Sequence, residues 1–203
     1  MTLELLAALA AFTFITSVTP GPNNLMVMAS GANFGLTRTL PHIFGVICGF
    51  QFMLWTVGAG LITALETYPI STLILKFASA AFLLYLAWNF ANAAPPENGA
   101  DEKLIGKPMS FLQGAAFQWV NPKAWALSIG ALGAFVTAEQ SIVGLLTISI
   151  AFILLGAPCV FAWTLLGTQL RRLFRKPLHL KIFNWTCAAL LAASVIPVLT
   201  STT

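Results

Sequence analysis

Charge is scarce in this chain. Only 8% of its 203 residues are charged, against 58% hydrophobic and a mean hydropathy of +0.87. A soluble domain carries about 25% charge, so this chain has too little to coat a water-facing surface. The composition defines an integral membrane protein. Carboxylates are rarer still. Glu4, Glu66, Glu97, Asp101, Glu102 and Glu139 fall at the ends of apolar stretches or in a linker, and none lies mid-membrane. The three cysteines, Cys48, Cys159 and Cys187, sit in apolar runs without metal-ligand spacing, and an odd count excludes a closed disulfide framework. The two histidines, His42 and His179, are distant in sequence. A membrane enzyme would need a nucleophile–base pair or a metal cluster, and a redox subunit would need paired axial ligands. Neither set is present, so the chain reads as no enzyme and as needing no cofactor.

The basic balance, with a pI near 9.2, is a topology signal. Nucleic-acid binding needs Lys and Arg clustered on one face. Here half of the cations lie between Arg171 and Lys181, in a loop between apolar spans. Nucleic acid is therefore excluded as a partner, and the lipid bilayer takes its place. Glu4 precedes the first apolar run with no Lys or Arg, which predicts a retained first segment rather than a cleaved signal peptide.

About 20 apolar residues cross the hydrocarbon core. Charges divide the chain so that six transmembrane helices are predicted at roughly 3–32, 38–64, 70–91, 109–136, 141–167 and 181–200. A version with five spans, one early segment failing to cross, stays open. The stretch 92–108, NAAPPENGADEKLIGKP, is a linker rich in Pro, Gly and charge. The loops after the odd-numbered spans carry Arg38, Lys103, Lys107, Arg171, Arg172, Arg175, Lys176 and Lys181, and the other side carries Lys76. The positive-inside rule places the former group in the cytoplasm and both termini outside, periplasmic in a bacterium.

Two apolar stretches are broken. The uncharged run 5–37 is about 33 residues and would rise roughly 50 Å as one helix, too long for a core of about 30 Å. The segment Thr19-Pro20-Gly21-Pro22-Asn23-Asn24 divides it. The prolines remove backbone donors and Gly21 permits a turn. Asn23 or Asn24 is expected to cap the half-helix that follows, whose free N–H groups form an anion site. The second break, QWVNPKAW from Gln118 to Trp125, has one proline, so a kink is as consistent with it as an unwinding, and it carries Lys123. A lysine at mid-span costs about 3 kcal/mol on insertion scales and usually faces the bundle interior. Snorkelling to a nearby boundary is the alternative for Lys123.

Sliding the chain by 102 positions sets Val18-Thr19-Pro20 on Val120-Asn121-Pro122, Ala29–Ala32 on Ala131–Ala134, and Gly49-Phe50 on Ala151-Phe152. With three more positions Lys76 falls on Lys181. The matches keep one order and predict a repeat: residues 1–91, the linker 92–108, then 109–203. Each copy holds three helices, so the second enters the membrane inverted. The fold class is therefore all-α and polytopic, with two inverted three-helix repeats. Matched helix breaks in such repeats point to a midplane solute site.

Other residues carry weaker signals. His42, just after Pro41, reads as interfacial. Gln51 either faces the pathway or bonds a neighbouring helix. Gly31-x-x-x-Gly35 and Gly45-x-x-x-Gly49 read as helix packing more than dimer contacts, with self-association left open. Trp88 and Trp185 suit interfacial belts, while Trp119 and Trp125 line the second break or pack in the core.

With TPGPNN in the first helix, a following G-x-x-x-G, a charged mid-chain linker and VNPKAW opening the second half, the chain resembles the LysE/RhtB-type amino-acid exporter family over essentially its whole length. Thr19–Asn24 and Leu173-Phe174-Arg175 are similar to segments of its cysteine and O-acetylserine exporter branch, with homoserine and threonine exporters as near alternatives. The resemblance implies a bacterial inner-membrane carrier that moves amino acids outward on the proton motive force. The expected substrate is a small neutral zwitterion. Its carboxylate would meet Asn23, Asn24 and Lys123. Its ammonium would meet carbonyls freed by the prolines, or the amide oxygens of Gln118 and Asn121. With no buried acid, Lys123 is the first candidate for proton coupling and His42 the second. A channel is the alternative, because broken helices also line pores.

Overall fold

The computed structural model describes residues 1–61, 69–92, 107–136, 141–173 and 177–200. Among these residues every regular element is helical. The linker interior 93–106, the loop residues 174–176, and Glu66 and Glu139 lie outside them, so the expectations placed there have no structural counterpart.

The first predicted span is two helices. Thr2 caps α1 (Leu3–Val18) by accepting from the Leu5 N–H at 3.3 Å. Pro20 and Gly21 end it, and α2 (Pro22–Phe34) starts with proline at its first turn, where no donor is lost. The two axes meet at 51°. Gly35, at φ 81°, turns the chain directly into α3 (Leu36–Thr56), a conformation that favours glycine. A π-turn, Val57–Leu61, follows α3. Next comes α4 (Pro69–Ala91).

The predicted fourth span is also divided. Ser110 and Gln113 form a capping box that opens α5 (Phe111–Phe117). A tight turn, Gln118–Val120, leads to Asn121 in extended backbone, and α6 (Pro122–Phe135) begins there. The single proline therefore marks a full break. Then α7 (Ser141–Ala151), a π-turn (Phe152–Gly156) and α8 (Ala157–Leu173) run on as one rod, longer than the predicted 141–167. Last come α9 (Pro177–Ala193) and α10 (Val195–Thr200). Among the described residues four rods are long and apolar enough to cross a bilayer, and five if the bent α1–α2 pair counts as one. The α5–α6 pair is not among them. The chain is a multi-pass membrane protein.

Its outward faces are apolar. Ile74, Leu84, Ile142 and Leu154 are exposed, and so are Trp88 of α4 and Trp185 of α9. The interior is tied by close backbone crossings. Gly31 of α2 lies against the Thr164 carbonyl of α8, and Gly167 of α8 against the Met28 carbonyl of α2. Gly45 and Gly49 of α3 lie against the backbone of Phe111 and Ala115 in α5. The glycines thus serve packing within one chain, except Gly35, which serves the corner.

Polar side chains join helices where the sequence is least polar. Gln51 and Ser149 exchange bonds between α3 and α7, with Ser149 Oγ donating to Gln51 Oε1 at 2.6 Å. The choice left open for Gln51 thus includes a bond to a neighbouring helix. Asn33 and Asn184 form a buried reciprocal amide pair between α2 and α9, at 3.0 and 3.3 Å. A double-mutant cycle on Asn33→Leu and Asn184→Leu, read by thermal unfolding in detergent, is expected to give a coupling of about 0.6–1.7 kcal/mol, the range for polar pairs between membrane helices.

Candidate functional site

The two breaks lie side by side. The first sets the C-terminus of α1 beside the N-terminus of α2. A helix end leaves carbonyls without partners, and within a membrane water does not supply them. Here each is answered in turn. Thr19 N–H donates to Ile15 O at 3.2 Å, and Thr19 Oγ1 to Thr16 O at 2.9 Å. Asn24 Nδ2 donates to Ser17 O at 2.8 Å and to Thr19 O at 2.9 Å. Trp163 Nε1 of α8 donates to Val18 O at 3.2 Å. Lys123 Nζ, reaching from the second break, donates to Thr19 O at 2.8 Å, Thr19 Oγ1 at 2.9 Å and Pro20 O at 3.4 Å. A cation against a helix C-terminus is also the favourable sign for the helix dipole.

This corrects the expected role of the asparagines. Neither caps α2. The N-cap is Gly21, which has no side chain to offer, and Asn24 points backward to cap α1. Asn23 instead reaches the second break. Its Nδ2 donates to Gln118 Oε1 at 2.8 Å, and Gln118 Nε2 donates to Asn23 Oδ1 at 3.1 Å. Asn121 caps α6, its Oδ1 accepting from Lys123 N–H at 3.1 Å. The carbonyls and amide oxygens expected to receive a substrate ammonium are therefore already engaged within the chain.

A cavity opens at this junction. Of the expected site residues, Gly21, Asn23, Asn24, Asn121 and Lys123 line it. Thr19, Pro20, Pro22, Gln118 and Pro122 shape the breaks without lining the cavity. Thr16, Ser17, Phe50, Gln51, Phe152 and Gly156 are also in its wall and were not expected there, apart from Gln51, left undecided. The Phe50 and Phe152 rings meet at 4.8 Å between centroids. Their repeat register was the one signal that could have found them. Trp119 and Trp125 do not line the cavity. They pack on each other, with Trp125 Nε1 donating to Trp119 O at 2.9 Å. No carboxylate is among the described lining residues. The wall is mostly apolar, and its groups for an anion are the start of α2 and the Lys123 ammonium, which must leave the Thr19 and Pro20 oxygens to take one. It suits an anionic group.

Gly21 makes room for this arrangement. A Cβ there would stand 2.6 Å from Lys123 Cδ and 3.1 Å from Nζ. Gly21→Ala is expected to swing the lysine off the Thr19 and Pro20 carbonyls at little cost to folding, since only a flexible side chain must yield. Solute affinity should fall roughly tenfold, one charge-assisted bond's worth, while the thermal midpoint moves little.

A membrane protein of several spans with two broken helices around an interior cavity is built as a solute transporter. Its sequence says which kind. The LysE type translocator profile matches residues 14–201, so the chain belongs to that family. It is 33% identical over 94% of its length to the cysteine/O-acetylserine efflux protein of Klebsiella pneumoniae, covering 95% of that protein. It is 32% identical over 87% of its length to the protein of the same description from Escherichia coli K12, covering 89% of it. No solved structure matches the chain. The family makes it a transporter and not an enzyme.

Proposed function

We propose that the chain is a secondary carrier that exports small neutral amino acids, cysteine and O-acetylserine foremost, across the bacterial inner membrane on the proton motive force. The observation that carries this reading is Lys123, in the wall of a cavity with no carboxylate among its described lining residues, its Nζ held on the carbonyls of the opposite break. A substrate carboxylate takes the ammonium and the N-terminus of α2. Its own ammonium meets the faces of Phe50 and Phe152 and the Ser17 hydroxyl. A lysine- or arginine-like substrate would need a counter-charge that this wall lacks. The names of the efflux relatives support the substrate class.

The reading includes six spans as two inverted repeats, 1–91 and 109–203 about the linker 92–108, with periplasmic termini. Two facts support the symmetry. Broken α1–α2 packs on the α7–α8 rod of the other half, and broken α5–α6 packs on α3, while α4 packs on α9. Residues equivalent in the repeat also touch: Phe50 meets Phe152, and Gly21 meets Lys123. Such contacts arise where a two-fold axis passes between equivalent positions.

Liposomes with an imposed pH gradient test the function. Saturable, gradient-driven movement of O-acetylserine and threonine, with little inhibition by arginine, is expected. Flux that does not saturate would make the protein a pore. Strong inhibition by arginine alone would overturn the neutral-substrate reading.

A further inference from the structure

A second cavity lies on the linker side of the first. Ser30 and Asn33 of α2, His42 of α3, Tyr85 and Asn89 of α4, and Lys107 before α5 border it. One stripe of α2 connects the two cavities. Asn23 lines the first, and Met26, Ser30 and Asn33 line the second, at the spacing that keeps residues on one helix face. Between them stands the Asn23–Gln118 amide pair. Gln118 Nε2 also donates to Gly114 O at 2.9 Å, and Gly114 packs against His42.

Three buried polar side chains border this second cavity. Two are engaged: Ser30 shares a 2.9 Å bond with Thr39, and Asn33 donates to Ala29 O and to Asn184. The third is His42. It is 1% exposed, buried within the bundle, and neither ring nitrogen has a hydrogen-bond partner among the described residues. A buried polar group left without a partner costs about 1–3 kcal/mol. Such a cost is retained where a ligand supplies the partner.

We infer that this second cavity is a linker-side binding station for the same small zwitterion, with His42 as the side chain that hydrogen-bonds it. The inference rests on the export reading above. Lys107 at the border supplies the charge that draws the carboxylate. His42 offers a ring nitrogen to the α-ammonium, the acceptor that the engaged Ser30 and Asn33 do not provide. Both ring nitrogens are covered in this conformation, so loading the station moves its wall. The Gly114–Gln118–Asn23 contacts then couple that movement to the amide pair that separates the stations.

Thiol protection tests it. Asn89→Cys is placed in a chain carrying Cys48→Ser, Cys159→Ala and Cys187→Ala, and is labelled by a membrane-impermeant reagent applied from the linker side. O-acetylserine at ten times its Kd should slow labelling about tenfold, by mass action. Protection should persist with Lys123→Ala, which weakens the first cavity. It should vanish with His42→Ala, while an Ala157→Cys reporter in the wall of the first cavity stays protected. Where His42→Ala does not fold, His42→Met, similar in size and without hydrogen-bonding capacity, gives the same reading, and His42→Gln should restore protection. Protection that survives removal of His42, or that is lost with Lys123→Ala, overturns the second station. So does the absence of protection in vesicles that transport amino acids. If the unaltered protein transports no amino acid and Asn89→Cys is never protected, the export reading falls with it.

Discussion

Lys123→Ala is expected to weaken substrate binding roughly 30- to 150-fold, the equivalent of losing about 2–3 kcal/mol from a charged hydrogen bond. Gradient-driven export should disappear at ordinary substrate levels. Two losses combine. The cavity loses its ammonium, and the Thr19 and Pro20 carbonyls lose the donor that holds them. The second loss is partial for Thr19 O, which keeps Asn24 Nδ2 at 2.9 Å. The fold should therefore survive, and a monodisperse protein with a near-normal thermal midpoint is expected alongside failed transport. Lys123→Gln separates binding from proton coupling. It keeps N–H donors, one bond shorter in reach, but cannot exchange a charge-carrying proton. Facilitated exchange without uphill export in Lys123→Gln would assign coupling to this side chain. Uphill export at normal stoichiometry would move coupling elsewhere and leave Lys123 as a binding group. Unchanged affinity in Lys123→Ala would remove it from the site altogether.

Both breaks were legible because Pro, Gly and Asn have few other uses inside an apolar stretch. Their contents were less so. Asn24 reads as an N-cap by type and position. Its backward turn onto Ser17 and Thr19 depends on the bend between α1 and α2, a three-dimensional quantity with no local signal. The second break was readable as a place and not as a kind, because one proline fits a kink as well as the turn and extended Asn121 that are present. The repeat offset made Phe50 and Phe152 equivalent positions, and only the fold shows that their rings touch in the wall of one cavity. His42 was misplaced for a similar reason. Its position just inside a span implied an interface, but α5 arrives from the other half and buries it, with Gly114 against its ring. Burial made by a distant segment leaves no mark in the surrounding sequence.

Gly167→Val should cost the folded protein. A Cβ at Gly167 would overlap the Met28 carbonyl and press the Ala32 N–H region, both of them backbone of α2. Backbone in a packed helix cannot rotate away as a side chain can, so α2 and α8 must separate. Overpacking of this kind costs about 3 kcal/mol or more when the main chain has to move. Little protein should survive detergent extraction as a monodisperse species, and the thermal midpoint of what does should fall sharply. Gly133→Ala is the contrast. Nothing lies within 4 Å of a Cβ built there, so the change should be neutral or stabilising by about 0.5–1 kcal/mol, the usual gain of alanine over glycine in a helix. The consequence reaches the site through the same crossing. α2 carries Asn23 and Asn24, and α8 carries Trp163, whose indole holds the Val18 carbonyl at the end of α1. Parting the two helices therefore opens the first break as well as the core. Gly31→Ala meets the Thr164 carbonyl, again backbone, in the same crossing; it adds less bulk than valine, and stability and substrate affinity should fall together. Affinity unchanged in Gly31→Ala, in a protein that stays folded, would mean that the crossing holds the bundle together without setting the geometry of the break.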